Sequence, residues 1–225
     1  MCMEVPDIFY QDLVGIGVQL TNVRVNRQAD IERTLIEASS YVDSSDRRIL
    51  GLLASWIVTH GSIVCVGRLK RLLDHEKHGD SQVVAALAFL AVEKGLHEWK
   101  SLCRTFPEKY LWGKEGTKRM LKFQKPVESF AHAGLFLPER ALRIRESDIL
   151  PLRELARVHL QVRLRLLFGA NIRADAAFYI SKGVRSPSEL MRAIGCSYEP
   201  AHRIFNDFVS AGGLKLPEIP LPKQV

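Results

Sequence analysis

Tyr198, Glu199, His202, Arg203 and Asn206 fall on one side of a helical stretch whose other side carries Ala201, Ile204, Phe205 and Phe208. The apolar four stand at i, i+3, i+4 and i+7, the spacing of one buried helix face. All five opposite side chains can hydrogen-bond. An arginine fork matches the O6/N7 edge of guanine, and an asparagine amide matches the N6/N7 edge of adenine, so Arg203 and Asn206 carry base-reading chemistry.

Catalytic chemistry has no such constellation. His75 and His78, with Asp74 and Glu76, imitate a metal site, but the segment 74–80 reads as the solvated end of a helix. No H-E-x-x-H, P-loop or G-x-S-x-G motif occurs, and Gly15-x-Gly17 lacks the strand and third glycine of a dinucleotide loop. The basic middle of the chain lacks the clustered carboxylates of a metal-dependent nuclease. The expectation is no catalytic, metal or cofactor site and no enzyme. Trp56 and Trp99 lie on apolar helical faces and are expected in the core, while Trp112, beside Gly113, fits either core or a base-stacking platform. His60, just before Gly61, is expected to complement a helix C-terminus as a cation. Cys2, Cys65, Cys103 and Cys196 are widely spaced and read as free thiols.

The elements that must position the polar face are written clearly. Ser186 can cap a helix, Pro187 sits where its missing N–H costs nothing, and Glu189 can reach back in a capping box. That helix runs through Leu190 and Ile194 to Gly195, which supplies a left-handed stop. Ser197 can cap the next helix. Helix, glycine turn and a helix with a polar outer face is the pattern of a helix-turn-helix, whose second helix enters the major groove. Arg185, Ser186 and Ser188 would then meet phosphate through side chains and free backbone N–H groups.

The apolar positions Leu190, Ile194, Cys196, Ala201 and Ile204 around Gly195 resemble the spacing of helix-turn-helix transcription factors. Upstream, Arg163 to Gly169 leading into Arg173 to Ile180 resembles the first helix of a winged-helix module in bacterial and archaeal regulators. The resemblance covers about the last quarter of the chain and implies a sequence-specific regulator of transcription that binds double-stranded DNA. Two departures stand out. Met191 occupies a position where these proteins usually place alanine. After Gly212-Gly213 only Leu214-Lys215-Leu216 can form a wing strand before Pro217, Pro220 and Pro222, so the wing is short or absent.

The net charge of +7 is unevenly spread. Residues 97–145 hold 11 basic against 5 acidic side chains, whereas residues 1–96 hold 10 against 12. The excess includes Lys114, Lys118, Arg119, Lys122, Lys125, Arg140, Arg143 and Arg145. Such a surface attracts polyphosphate backbones whatever their sequence, and Lys118, Arg119 and Lys122 are the candidate backbone contacts. Residues 183–213 are balanced, Arg185, Arg192 and Arg203 against Glu189, Glu199 and Asp207. Phosphate affinity would have to come from the surroundings or from dimerisation.

The fold expected is mostly α. An irregular N-terminal arm over 1–26, with room for one short strand, precedes a helical domain over 27–106, a basic connecting region over 107–150, a helix-turn-helix or winged-helix-like domain over 151–216 and a proline-rich tail over 217–225. A shift of 34 residues aligns Asp46, Ile49, Leu50 and Leu53 with Asp80, Val83, Val84 and Leu87, an echo of stacked helical hairpins, though two copies are fewer than a solenoid needs. Residues 152–168 read as one helix with Leu152, Leu155, Val158 or His159, Val162 and Leu166 in a stripe. No run of eighteen apolar residues and no basic leader is present, so a cytoplasmic protein is expected. The N-terminal helices are assigned to homodimerisation, effector sensing or a protein partner. The alternative function is a non-enzymatic adaptor or antitoxin-like partner that uses those helices to grip another protein.

Overall fold

The computed structural model describes residues 5–23, 28–44, 46–75 and 79–212. His78, the candidate wing strand 214–216 and the tail 217–225 lie outside the described residues. The chain is mostly α-helical. Its first five helices are α1 (Asp7–Gly15), α2 (Ile31–Ser40), α3 (Arg48–His60), α4 (Val66–His75) and α5 (Ser81–Glu93). They are followed by β1 (Lys109–Tyr110), α6 (Lys114–Leu121), α7 (Glu128–His132), β2 (Leu135–Phe136), α8 (Leu152–Val158) and α9 (Leu160–Phe168). Last come α10 (Ile172–Ser181), α11 (Pro187–Ile194) and α12 (Tyr198–Ser210). Among the described residues no helix is long and apolar enough to cross a membrane.

Helix α5 is central because it is apolar all round: Val83, Val84, Ala85, Ala86, Leu87, Ala88, Leu90 and Ala91 are all buried. It starts where the Asp80 carboxylate accepts the N–H groups of Gln82 and Val83. Helix α3 packs on it and buries Trp56, whose indole N–H donates to the Ile16 carbonyl at 2.8 Å. Trp99 is buried as well and donates to the Gly61 carbonyl at 3.1 Å. One continuous apolar cluster from Phe9 to Val162 forms the body. Within the 34-residue echo Asp46 accepts from Arg48 N–H as Asp80 does from Gln82 N–H, but only Asp80 is an N-cap, since α3 is preceded by Arg47 with no side-chain cap bond. The echo ends at the glycines, where Gly61 is right-handed (φ −59°) and Gly95 left-handed (φ +88°).

Several expectations are corrected. The stretch read as an irregular arm contains α1, which buries Phe9 and Leu13, and beyond it Val18 pairs antiparallel with Ile149. Trp99, expected on a helical face, sits in a 3-10 turn over residues 97–102. In the connecting region β1 and β2 pair in parallel, Lys109 with Leu135 and Tyr110 with Phe136, and two 3-10 turns follow at Glu139–Ala141 and Glu146–Asp148. The single helix over 152–168 breaks at His159, which adopts extended angles (φ −119°, ψ 109°). That break turns Leu166 away from the core and leaves it 49 % exposed. His60 does end α3, but it is fully buried rather than solvated. Burial lowers its pKa, and its Nε2 bonds the Leu150 carbonyl at 2.8 Å. Trp112 is tied down rather than free to stack: its indole donates to the Val42 carbonyl and the Arg47 guanidinium lies over its ring.

Helices α9 to α12 form a head with two small apolar clusters of their own. Leu160, Leu164, Ala174, Ala177 and Phe178 make one, and Ala176, Leu190, Ile194, Ala201 and Ile204 the other.

Candidate nucleic-acid interface

The segment 186–210 folds as two helices about a glycine turn. Ser186 Oγ accepts the Glu189 N–H, Pro187 takes the first helical position, and the Glu189 carboxylate accepts the Arg185 N–H at 2.9 Å. The reciprocal cap therefore reaches one residue further back than the capping-box spacing. Gly195 ends α11 in the left-handed region (φ 70°, ψ 49°), where a side chain is strained. A Cβ at that position would also stand 2.8 Å from Leu72 Cδ2 of α4. Ser197 opens α12 without a side-chain cap bond.

Helix α12 buries Ala201 and Ile204 against Leu190, Ile194 and Ala176. Tyr198, Glu199, His202, Arg203 and Asn206 are all exposed on its outer side. The rings of Tyr198 and His202 lie 5.6 Å apart, and Asn206 Nδ2 is 3.2 Å from the His202 ring. Arg203 makes no hydrogen bond or ion pair among the described residues. Arg173 of α10 pairs with Asp207 at 2.6 Å, which removes one carboxylate from the balance of that surface. Arg185 and Ser188 are exposed at the start of α11, with the Arg185 guanidinium resting by the carbonyls of Ile180 and Val184. Lys118, Arg119 and Lys122 are exposed too, but on and just after α6, which packs on β1, whereas α12 packs on α10 and α11. The two groups belong to separate elements.

The way the head is held escaped sequence reading. Arg68 of α4, fully buried, donates from Nε to the Ile194 carbonyl at 3.0 Å and from Nη2 to the Ala193 carbonyl at 3.3 Å. Arg71 Nε donates to the Gly195 carbonyl at 2.9 Å. Two arginines thus cap the C-terminus of α11, where carbonyls lack helical partners and the helix dipole favours cations. Arg68 continues inward to Asp30, the N-cap of α2, at 2.9 Å and to Glu32. Glu32 takes a bidentate pair from Arg165 of α9, both contacts 2.7 Å, and Arg165 reaches Asp175 of α10 at 2.6 Å. Gln161 joins the set to the Ile31 N–H and Asp175, and Tyr179 donates to Asp30 at 2.7 Å.

Burial works against the charge on Asp30, but the Arg68 guanidinium and hydrogen bonds from Arg68, Arg33 N–H and Tyr179 together hold its pKa down at about 2. Arg165 and Arg68 pay a burial penalty as well, and their acidic neighbours more than offset it, pushing both pKa values up. His159 lies alongside. Burial lowers its pKa to about 4, its Nδ1 accepts the Val162 N–H, and its Nε2 bonds the Ala29 carbonyl at 3.0 Å. A signal for the cluster does exist in the sequence: Glu32, Arg68, Arg165 and Asp175 each stand among apolar residues on a helix face, and their charges are complementary.

No family model, curated protein or solved structure matches this chain. Among the described residues no group of three or more His, Cys, Asp or Glu is placed to hold a metal ion.

Proposed function

We propose that this chain is a sequence-specific regulator that binds double-stranded DNA, with α12 as the helix that enters the major groove. The observation that carries the reading is the division of α12. Its apolar side is spent on α10 and α11, and its hydrogen-bonding side faces solvent with Arg203 uncommitted among the described residues. In this reading Tyr198, Glu199, His202, Arg203 and Asn206 face base edges, Arg203 toward guanine and Asn206 toward adenine. Arg185, Ser186 and Ser188 grip phosphate at the start of α11, and Lys118, Arg119 and Lys122 add charge that does not depend on sequence. The body would serve dimerisation, an effector or a protein partner.

Selection from random duplex fragments at low salt tests the proposal. A preferred site should emerge, and Arg203→Ala should lower the preference for it over random DNA by about 1–3 kcal/mol, the worth of one bidentate base contact. Replacing Lys118, Arg119 and Lys122 together with alanine should weaken both kinds of DNA alike and flatten the salt dependence. Absence of duplex binding at low salt would overturn the regulator and leave the adaptor reading. Binding with an unchanged preference in Arg203→Ala would overturn the role given to that residue.

A further inference from the structure

The buried cluster between body and head holds three carboxylates, Asp30, Glu32 and Asp175, against two guanidinium groups, Arg68 and Arg165. Its hydrogen bonds are unevenly shared. Asp30 Oδ1 accepts from Arg33 N–H and Arg68, and Oδ2 from Tyr179 and Gln161. Glu32 Oε1 accepts from Arg165 and Cys65 N–H, and Oε2 from Arg165 and Arg68, so neither carboxylate leaves an oxygen for a proton. Asp175 Oδ1 accepts from Arg165 and Gln161. Among the described residues Asp175 Oδ2 accepts from nothing, in a side chain with no solvent exposure.

An ionised Asp175 would place a third carboxylate beside the two buried guanidinium groups and leave one bare carboxylate oxygen in a dry site, a costly arrangement in a protein interior. We infer that Asp175 carries a proton on Oδ2 whenever the head is docked, and that this proton couples the seating of the head on the body to pH. Docking takes one proton from solvent and undocking returns it. Burial and the neighbouring Glu32 push in that direction against the pull of Arg165.

The groups facing Asp175 are Arg165 and Gln161 from α9, Glu32 from α2, and Arg68 with Cys65 at the start of α4. From α12, Asp207 pairs with Arg173 of α10 at the exposed edge, while the buried contacts of α11 and α12 on α10, Leu190, Ile194, Ala201 and Ile204, do not titrate. On α10 itself Tyr179 lies one turn away, bonded to Asp30 and pushed up by burial. Asp175 is therefore the one member of the cluster whose charge can change without breaking a hydrogen bond. Because Arg68 also holds the carbonyls of Ala193 and Ile194, the state of this cluster bears on how α11 and the outer face of α12 are presented. That last step rests on the DNA reading above; the proton itself does not.

The test uses the full chain without DNA. In protein carrying 13C at the aspartate side-chain carboxyl, the Asp175 resonance should still read as protonated at about pH 6, where ordinary exposed carboxyls have ionised. Beyond the opposite dependence imposed by the buried neutral ring of His159, amide exchange in α10 to α12, relative to α5 and corrected for intrinsic rate, should carry a component that speeds by about tenfold per pH unit until the docked carboxyl has ionised. Asp175→Asn, which keeps the shape and removes the charge, should abolish that component. An Asp175 carboxyl already ionised at about pH 6 overturns the inference even if the variant fails to fold. So does a folded Asp175→Asn protein whose head keeps the wild-type pH dependence. Loss of DNA binding alone touches the functional reading and leaves the proton in place.

Discussion

The body and the head of this protein are held by different physics. Around α5 the contacts are apolar, additive and undirected: Leu87, Leu90, Trp56 and Ile49 exclude water, and a small misfit costs only a share of the whole. Between α2, α4, α9 and α10 the contacts are charged and directional, and each depends on the next. Such a network adds little over an apolar equivalent when complete and costs much when one partner is missing. An apolar seam would tolerate several orientations of the head; the fork of Arg165 on Glu32 and the reach of Arg68 to the end of α11 admit one. The core supplies cohesion and the ionic seam supplies registry.

The largest expected effect tests that contrast directly. Arg68→Ala should destabilise the protein by about 3–5 kcal/mol, since it leaves Asp30 and Glu32 under-compensated and strips the carbonyls of Ala193 and Ile194. Denaturant melts would check it; a loss below about 1 kcal/mol would mean that the seam is no network.

Acid comes next. The buried neutral ring of His159 has its pKa lowered to about 4, against about 6.5 when unfolded. Above pH 6.5 it contributes no pH dependence. As pH falls from there to 4 the unfolded chain binds a proton that the native one refuses, so stability should drop by up to about 3 kcal/mol. His60, also lowered by burial, works in the same direction in the body. His159→Gln should shallow the acid limb of the stability curve, and an unchanged limb would assign it to other groups.

Gly195→Val should cost about 1–3 kcal/mol, from the left-handed backbone and from the collision with Leu72. Calorimetry would read it, and relief by a second change, Leu72→Ala, would show that part of the cost arises at the seam. Smallest of all, Arg203→Ala should leave stability within about 0.5 kcal/mol, as expected of an exposed side chain with no partner among the described residues. A larger loss would place Arg203 in the structure of the head rather than on its working face.

The α11–turn–α12 unit was legible because every signal for it is local. Ser186, Pro187, Glu189 and Gly195 act within four residues, and the i, i+3, i+4 pattern needs only one helix. Helices α3 and α5 were legible for the same reason. What escaped depends on distant partners. Glu32, Arg68, Arg165 and Asp175 each stand on an apolar helix face, but which of them pair is set only when four helices assemble around them, with Glu32 and Arg165 separated by 133 residues. The break at His159 escaped as well, since nothing near it is glycine or proline; the ring itself ends one helix and caps the next by bonding Val162 N–H and the Ala29 carbonyl. Helix α1 lacks a side-chain cap, and β1 and β2 span two residues each, too few for any periodicity.

All three tryptophans lie in the body: Trp56 on α3, Trp99 in the 3-10 turn after α5, and Trp112 pinned against Val42 and Arg47. The head has tyrosines but no indole. Indole emission is thus a private channel of the body and is nearly blind to α9 through α12, while far-ultraviolet dichroism sums the helices of both. The chain carries its own pair of optical reporters, and the gap between their two melting curves measures how far the seam lets the head come loose before the core gives way.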